Sequence, residues 1–238
     1  MLLKAAINGK RSRQEHPAIP INPSQQAQQA AIVVKAGAGA IHVHPRDSNG
    51  HESLASGDVA AALHAIRVEC PPTPVGVSTG AWMVPDLGAR IALIEGWDVL
   101  PDFASVNFHE TGALEIFRAL ADHEIAVEAG IWNLEAARFF CQSGLASRSL
   151  RILIEPAQDP GNAKVRLEEI EAVLQGIECP RLLHGFEIFA WEFIALAAGR
   201  GYDTRIGFED TLLLPEGNCP KDNGELVTAA RQIIARCK

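Results

Sequence analysis

The stretch that decides the fold is Ile41-His42-Val43-His44-Pro45-Arg46-Asp47, which follows a run of small residues at 36–40. Apolar residues alternate with histidine, and a proline closes the stretch. This pattern predicts a short buried strand whose next residues leave the sheet. Because side chains alternate along a strand, His42 and His44 lie on the same face. They are either two ligands for a divalent metal or two core histidines that need other polar partners.

The same short apolar pattern recurs along the chain and alternates with segments of helical length. The predicted strands are residues 3–7, 41–44, 75–78, 103–107, 125–128, 150–154, 181–184 and 204–208. The predicted helices are residues 24–36, 57–68, 86–95, 113–123, 133–141, 162–176, 191–198 and 223–237. Ser24 is the expected N-cap of the first helix, and Gly37 is its expected stop.

Eight strands that are each followed by a helix require a parallel sheet that is buried on both faces. The unit count predicts an α/β fold of the (β/α)8 TIM barrel type, with residues 1–238 as a single domain. A doubly wound open sheet is the alternative. The positions of the polar residues favour the barrel, because its chemistry lies at the carboxyl ends of the strands.

Polar side chains are concentrated at those predicted strand ends, where they would converge on one mouth. They are Asn8, His42, His44, Arg46, Asp47, Ser78, Thr79, Ser105, Asn107, Glu128, His184, Arg205, Glu209 and Asp210. Six of them are fully charged. Four are carboxylates (Asp47, Glu128, Glu209, Asp210) and two are guanidinium groups (Arg46, Arg205). One divalent cation would neutralise this set.

The second informative stretch is residues 204–211, which contains Arg205, Gly207, Glu209 and Asp210. Alternation places Arg205, Gly207 and Glu209 on the inward face, and the glycine leaves room beside the carboxylate. We therefore expect Glu209 to complete a metal site with His42 and His44. Three protein ligands with an open position are typical of catalytic zinc. The alternative is an ion-pair network of the charged residues that closes the barrel.

Such a metal would polarise a bound carbonyl as a Lewis acid. An aspartate held beside an arginine suits removal of a proton next to that carbonyl, and Asp210 with Arg205 fits this role. The hydroxyls of Ser78, Thr79 and Ser105 could orient a carboxylate or an oxyanion, although strand-end hydroxyls also cap helices. His184 is expected to orient another group rather than to bind the metal.

Composition excludes several other functions. The net charge is -8, and no cluster of Lys and Arg is visible, which argues against a nucleic-acid binder. No apolar run approaches the length of a membrane helix, and the N-terminal stretch is typical of a strand rather than of a signal peptide. Five scattered cysteines argue against a disulfide framework and predict a cytoplasmic location. The apolar segment 193–198 could cover either the barrel or a subunit interface, and we expect a homo-oligomer.

Five motifs together resemble the β-keto acid cleavage enzyme family, whose first described type is the 3-keto-5-aminohexanoate cleavage enzyme. They lie at residues 6–9, 41–47, 77–80, 104–107 and 205–210, and Asn-Gly-Glu-Leu-Val follows at 223–227. HxHxRD and RxGxED in this order are the most specific of these motifs. The similarity extends from about Lys4 to the C-terminal helix.

This resemblance implies a (β/α)8 barrel that holds zinc or a similar divalent metal. It also implies that a β-keto acid and acetyl-CoA are converted to acetoacetate and a new acyl-CoA by Claisen and retro-Claisen steps. The implied metal ligands are His42, His44 and Glu209, the implied catalytic residues are Asp210, Arg205, Ser78 and Ser105, and the expected substrate-binding residues are Thr79, Asn107, Glu128 and Trp132.

The chain departs from the family pattern at two loops. Residues 155–162 replace a longer glycine-rich loop, which affects thioester binding. Members that act on amino-substituted substrates carry an acidic residue near Gly130, so an amino-keto acid is not the expected substrate here. Trp132 indicates a more apolar pocket wall.

Two other functions remain open at this stage. One is a metal-dependent hydrolase of the amidohydrolase type, which also begins with HxH but needs further metal histidines on later strands. Only His184 is placed to supply one. The other is a non-catalytic barrel that binds a carboxylated metabolite.

Overall fold

Eight parallel strands close into a barrel in which neighbours in the chain are neighbours in the sheet, and the last strand pairs with the first. The computed structural model describes residues 1–156 and 162–237. The predicted (β/α)8 barrel is therefore confirmed, and the open sheet is excluded. The strands are β1 (Leu3–Ala6), β2 (Ala40–Val43), β3 (Val75–Ser78), β4 (Phe103–Asn107), β5 (Ala126–Ile131), β6 (Arg151–Ile154), β7 (Arg181–Leu183) and β8 (Asp203–Ile206).

A helix follows each strand and covers the outside of the barrel. The helices are α1 (Pro23–Ala36), α2 (Ser56–Glu69), α3 (Leu87–Glu95), α4 (Ala113–Asp122), α5 (Leu134–Ser143), α6 (Ala163–Val173), α7 (Ala190–Arg200) and α8 (Asn223–Arg236). The predicted N-cap of α1 was wrong. Asn22 is the cap, because its side chain accepts a hydrogen bond from the Gln25 amide and Pro23 occupies the first helical turn. The predicted stop is confirmed, since Gly37 has φ 106°.

Strand β5 is the element whose end the sequence misplaced. The prediction ended it at Glu128, but the ladder continues, with Gly130 opposite both Asn107 and Leu153. Glu128 therefore lies in the middle of the strand, well below the mouth. A charged side chain in an apolar run indicated a strand end, whereas here it marks a buried ion pair.

The barrel interior below the mouth holds that ion pair. The ammonium of Lys4 donates to Glu128, and both side chains are fully buried. Arg151 lies 3.3 Å from the Glu128 carboxylate and 2.9 Å from Asp203, so each of these buried charges has a partner. This pairing matters because an unpaired charge in a barrel interior would be strongly destabilising.

The outward faces of the strands pack against the helices and form the hydrophobic core, to which Ile41, Val77 and Val106 belong. In α7, Phe193 and Ile194 are buried within the same core. Of the two roles that the sequence allowed for this face, covering the barrel is the one observed. No helix in the described ranges is long and apolar enough to cross a membrane.

The position directly after β8 requires a glycine, Gly207, because the backbone of β1 lies very close to it. A Cβ at this position would lie 1.9 Å from the Ala6 carbonyl oxygen. We expect Gly207→Ala to lower the free energy of unfolding by about 3 kcal/mol or more, because backbone has to move. Urea denaturation followed by circular dichroism measures this loss.

The matched control is Gly57→Ala in the first turn of α2, where a Cβ would meet nothing within 4 Å. It should change the free energy of unfolding by less than about 1 kcal/mol, or stabilise the helix. Equal losses in both variants would contradict the proposed clash at Gly207.

Candidate metal and acid-base site

A cavity of ≈ 360 Å³ opens at the carboxyl ends of the strands, where the sequence predicted the mouth. Eight of the eleven predicted site residues line it: His42, His44, Ser78, Ser105, Asn107, Trp132, Arg205 and Glu209. The remaining lining residues were not predicted as site residues: Lys10, Arg11, Glu15, Trp82, Glu155, Phe186 and Glu187. Most of the expected constellation is therefore brought together.

His42, His44 and Glu209 form a group whose ligand atoms converge on one point. The Nε2 atoms of the two imidazoles are 3.1 Å apart. The Glu209 Oε2 atom lies 3.6 Å from the first and 3.5 Å from the second. The predicted set of three ligand residues thus lies together at the mouth.

The separations between these atoms fit a divalent ion. Bonds of about 2.0–2.2 Å in tetrahedral geometry place ligand atoms roughly 3.3–3.6 Å apart. The two distances to Glu209 Oε2 lie in this range, and the distance between the two imidazole nitrogens, 3.1 Å, is slightly shorter. Glu209 Oε2 is buried without a hydrogen-bond partner among the described residues, which is costly unless a cation satisfies it. The donor set of two imidazoles and one carboxylate suits zinc and similar ions.

His44 is held by residues from three other segments. The Asn8 amide accepts from the His44 backbone N–H and donates to its carbonyl, both at 2.9 Å, and Gln26 donates to the same carbonyl. On the side chain, His44 Nδ1 donates to Glu52 Oε1 at 2.5 Å. Trp82 donates its indole N–H to Glu52. The Glu52 contact fixes the tautomer that leaves Nε2 available to a metal.

Gly9 makes room for Glu209. It has φ 55°, and a Cβ there would lie 2.4 Å from the Glu209 Cγ atom. The predicted role of Gly207 in making this room was wrong, because Gly207 instead accommodates the backbone of β1.

The electrostatics of this group favour a cation. Burial lowers the pKa of His44, but Glu209 and Glu52 outweigh burial and raise it to about 9. For His42 burial wins, and its pKa falls well below the usual value. Burial would raise the pKa of Glu209, yet Arg205 and the two histidines hold it well below its ordinary range. The site therefore favours a cation bound between the three side chains.

Arg205 and Asp210 form the predicted pair. Arg205 Nη2 donates to Asp210 Oδ1 at 2.7 Å, and Nε donates to the same oxygen at 3.1 Å. The same Nη2 donates to Glu209 Oε1 at 2.9 Å. Burial lowers the pKa of Arg205, but Asp210 and Glu209 raise it above its usual value. Arg205 lines the cavity, and Asp210 is fully buried directly behind it.

His184 stands on the other side of Asp210. Its Nδ1 atom is 3.5 Å from Asp210 Oδ1, and its Nε2 atom is 3.1 Å from Glu155 Oε2. Burial and Arg205 lower the pKa of His184, but Glu155 and Asp210 outweigh them and raise it. In the described part of the chain His184 does not belong to the metal-ligand group. It therefore gives the hydrolase alternative no fourth ligand.

Two predicted substrate contacts do not reach the cavity. Thr79 is buried and donates its hydroxyl to the Ser105 carbonyl at 2.7 Å. Alternation explains this, because the preceding residue, Ser78, points into the barrel and Thr79 points away from it. Glu128 is committed to Lys4 within the barrel interior. Neither residue lines the cavity, and both make structural contacts around it.

The cavity wall near Gly130 combines the expected apolar side chain, Trp132, with polar side chains. Asn107 is fixed by its bond to Glu110, which Arg90 holds in turn. A Cβ on Gly130 would lie 3.2 Å from Glu155 Oε1. A carboxylate therefore does stand beside Gly130, supplied from the end of β6. The expectation that the substrate is not an amino-keto acid concerned the residues that follow Glu128 along β5, and it stays a prediction.

The charge count at the mouth also needs correction. Asp47 closes a turn by accepting from the Asn49 and His51 amides, and Arg46 donates to backbone carbonyls, so neither faces the ligands. Around the ligands, four carboxylates (Glu52, Glu155, Glu209, Asp210) lie with the guanidinium of Arg205 and the imidazoles of His44 and His184. This concentration of carboxylates favours a divalent cation between the ligand atoms.

Comparison with known proteins identifies the family. The model of the β-keto acid cleavage enzyme family matches residues 1–238. The chain belongs to this family. A 3-keto-5-aminohexanoate cleavage enzyme from Fusobacterium nucleatum is 25% identical over an alignment of 249 residues. The alignment covers 95% of this chain and 88% of that enzyme. The family membership expected from the motifs is confirmed.

Solved structures support the fold alone. ObcA in a ternary complex with a C4-CoA adduct and oxalate has a TM-score of 0.73 at 15% identity and is matched over 92% of this chain. The match spans only 64% of the ObcA chain. A type I 3-dehydroquinate dehydratase from Clostridium difficile has a TM-score of 0.66 at 12% identity, over 99% of this chain and 92% of its own.

Proposed function

We propose that this protein is a divalent-metal-dependent β-keto acid cleavage enzyme. It converts a β-keto acid and acetyl-CoA to acetoacetate and a new acyl-CoA. The observation that carries the proposal is the convergence of His42, His44 and Glu209 beside the Arg205–Asp210 pair at one end of a family barrel. Zinc is the proposed ion.

A bound ion would act as a Lewis acid toward the keto acid. The residues of the chain supply the remaining functions. Arg205 offers a guanidinium at the cavity for a carboxylate or a developing enolate. Asp210 is the proposed acceptor of the proton next to the carbonyl. Ser78 and Ser105 line the cavity and can donate hydroxyl hydrogen bonds to an oxyanion.

ObcA binds oxaloacetate and a C4-CoA adduct, and the curated relative cleaves a β-keto acid. These ligands support acyl-CoA chemistry for this chain. The loop after β6 that bears on thioester binding includes residues 157–161, which lie outside the described residues. A cytoplasmic, homo-oligomeric enzyme remains part of the proposal.

The product acetoacetate gives a test that needs no knowledge of the natural acyl group. If acetoacetate carbon-2 attacks the thioester carbonyl of acetyl-CoA, a carbon–carbon bond forms and CoA thiolate leaves. The thiolate then attacks the original acetyl ketone, the older carbon–carbon bond breaks, and the acetoacetate carbanion takes up the proton. With carbon-13 in both acetyl carbons of acetyl-CoA, label should enter carbons 3 and 4 of acetoacetate, as detected by NMR.

A panel of β-keto acids incubated with acetyl-CoA would then identify the natural acyl group through acetoacetate formation. Label exchange that depends on added zinc supports the proposal. Hydrolysis independent of acetyl-CoA would favour the hydrolase instead. A complete lack of label exchange and of turnover with the whole panel would favour the remaining alternative, a non-catalytic barrel that binds a carboxylate.

Glu52 offers a specific prediction, because sequence reasoning did not identify it. Replacing Glu52 with Gln removes the charged acceptor of the His44 Nδ1–H. We expect zinc affinity to fall by about 10- to 100-fold, since this contact orients the ligand and makes it more basic. Competition with a chelating dye measures the affinity. Trp82→Phe removes the indole donor to Glu52 and keeps an aromatic ring beside His44. It should cost less than about threefold; equal losses would contradict the assigned role.

A further inference from the structure

His184 is a fully buried histidine that the proposed reaction does not yet use. It follows β7 and faces two carboxylates from neighbouring strand ends. Its Nδ1 atom lies 3.5 Å from Asp210, and its Nε2 atom lies 3.1 Å from Glu155. Glu155 lines the cavity, whereas Asp210 is fully buried. The ring thus links the cavity wall to the residue behind Arg205.

We propose that His184 is a positioning residue that fixes the orientation of the Asp210 carboxylate. This role rests on the function proposed above. Arg205 grips Asp210 from one side, with its Nη2 and Nε atoms directed mainly at Oδ1. Nε approaches the other oxygen, Oδ2, only at 3.4 Å, so the contacts from that side hold one carboxylate oxygen more closely than the other. His184 supplies a second contact from a different strand, and a proton acceptor needs such alignment.

The ring of His184 is itself held in place, which positioning requires. Glu155 anchors the nitrogen that faces away from Asp210. Phe186 packs against the imidazole edge to face, with ring centroids 5.1 Å apart, and the guanidinium of Arg205 lies 5.8 Å from the same phenyl ring. His184 and Arg205, which both lie close to Asp210, therefore pack against the same phenyl ring. A histidine that served only to balance charge would not need this fixed ring.

The test is a double-mutant cycle between His184 and Asp210, read by carbon-13 exchange between acetyl-CoA and acetoacetate. In the wild-type background, His184→Leu should lower kcat by about 10²-fold. The KM for acetoacetate should change by less than about threefold, because the metal ligands and Arg205, which are proposed to bind the substrate, are unchanged. His184→Gln keeps an amide donor and should recover about tenfold of that loss. In the Asp210→Asn background, His184→Leu should cost less than about threefold, because its partner is already disabled.

Thr204→Val is the matched control. The Thr204 hydroxyl donates to the carbonyl of Leu183, the residue before His184, at 2.8 Å, and it does not contact Asp210. Its effect should be the same factor in both backgrounds, as expected of a change in packing alone. If His184→Leu fails to fold, the Gln variant carries the cycle, with urea denaturation as the check on folding.

Two results would overturn the positioning role. One is an equal cost of the His184 change in the wild-type and Asp210→Asn backgrounds. The other is a loss confined to KM. Label exchange in the wild-type protein separates this failure from failure of the proposed function. Without exchange in the wild type both proposals fall, whereas exchange without coupling removes only the role of His184.

Discussion

His44→Ala is expected to abolish both metal binding and label exchange. The variant removes one of three convergent ligand atoms and leaves Glu209 Oε2 facing a single imidazole. Structural zinc sites with four ligands bind with apparent free energies of about 10–16 kcal/mol, so one ligand is worth about 3 kcal/mol. Zinc affinity should therefore fall by about 10²-fold or more. Chelator competition and metal analysis of the dialysed protein measure the loss.

The control is His51→Ala, in the same segment. The His51 side chain is 80% exposed and touches only Asp47, so its loss should leave zinc affinity and exchange unchanged. Both variants should retain the circular dichroism spectrum of the wild type. A His44→Ala protein that still binds one zinc per chain as tightly as the wild type would remove His44 from the site.

Much of this site follows from the alternation of strand side chains. The pattern at 41–44 placed two imidazoles on one face, and they lie there, 3.1 Å apart. Arg205 and Glu209 were also expected to lie near each other, and they are 2.9 Å apart. The first inference succeeds because a buried strand fixes which way each side chain points, whatever the loops do. The second contact depends on the turn after β8, where the Asp210 and Thr211 amides donate to the Gly207 carbonyl.

The errors arise where strand ends or loops decide the position. Glu128 was assigned to the mouth because β5 was ended three residues too early, and each residue moves a side chain about 3.3 Å along the barrel axis. Glu52 was missed because it reaches His44 from a loop, through an isolated bridge between Arg46 and Glu52. Nothing in the local pattern of residues 48–55 indicates that contact. Contacts made by loop residues do not produce a periodic pattern in the sequence, so the sequence alone does not indicate them.

Asp210→Asn is expected to give the largest loss of turnover that leaves the metal site intact. The amide keeps the size of the carboxylate but cannot accept a proton from carbon. Loss of a general base typically costs about 10²- to 10⁴-fold, so kcat for label exchange should fall by about 10³-fold. Zinc affinity should change by less than about tenfold, because Glu209 rather than Asp210 faces the imidazoles. The KM for acetoacetate should stay within about threefold of the wild-type value.

Asp203→Asn provides the matched control on the same strand. Asp203 also pairs with an arginine, Arg151, at 2.9 Å, but at the opposite end of β8 from the cavity. Its loss should lower the urea midpoint without changing kcat, since no described contact links it to the ligands.

Exchange of the carbon-2 hydrogens of acetoacetate with D2O, measured without acetyl-CoA, isolates the proton-removal step. If Asp210→Asn retained wild-type rates of this exchange, the base would have to be another carboxylate at the mouth. Glu155, one of the carboxylates that line the cavity, would then be the one to replace next, because it contacts His184 on the side of the ring that faces away from Asp210.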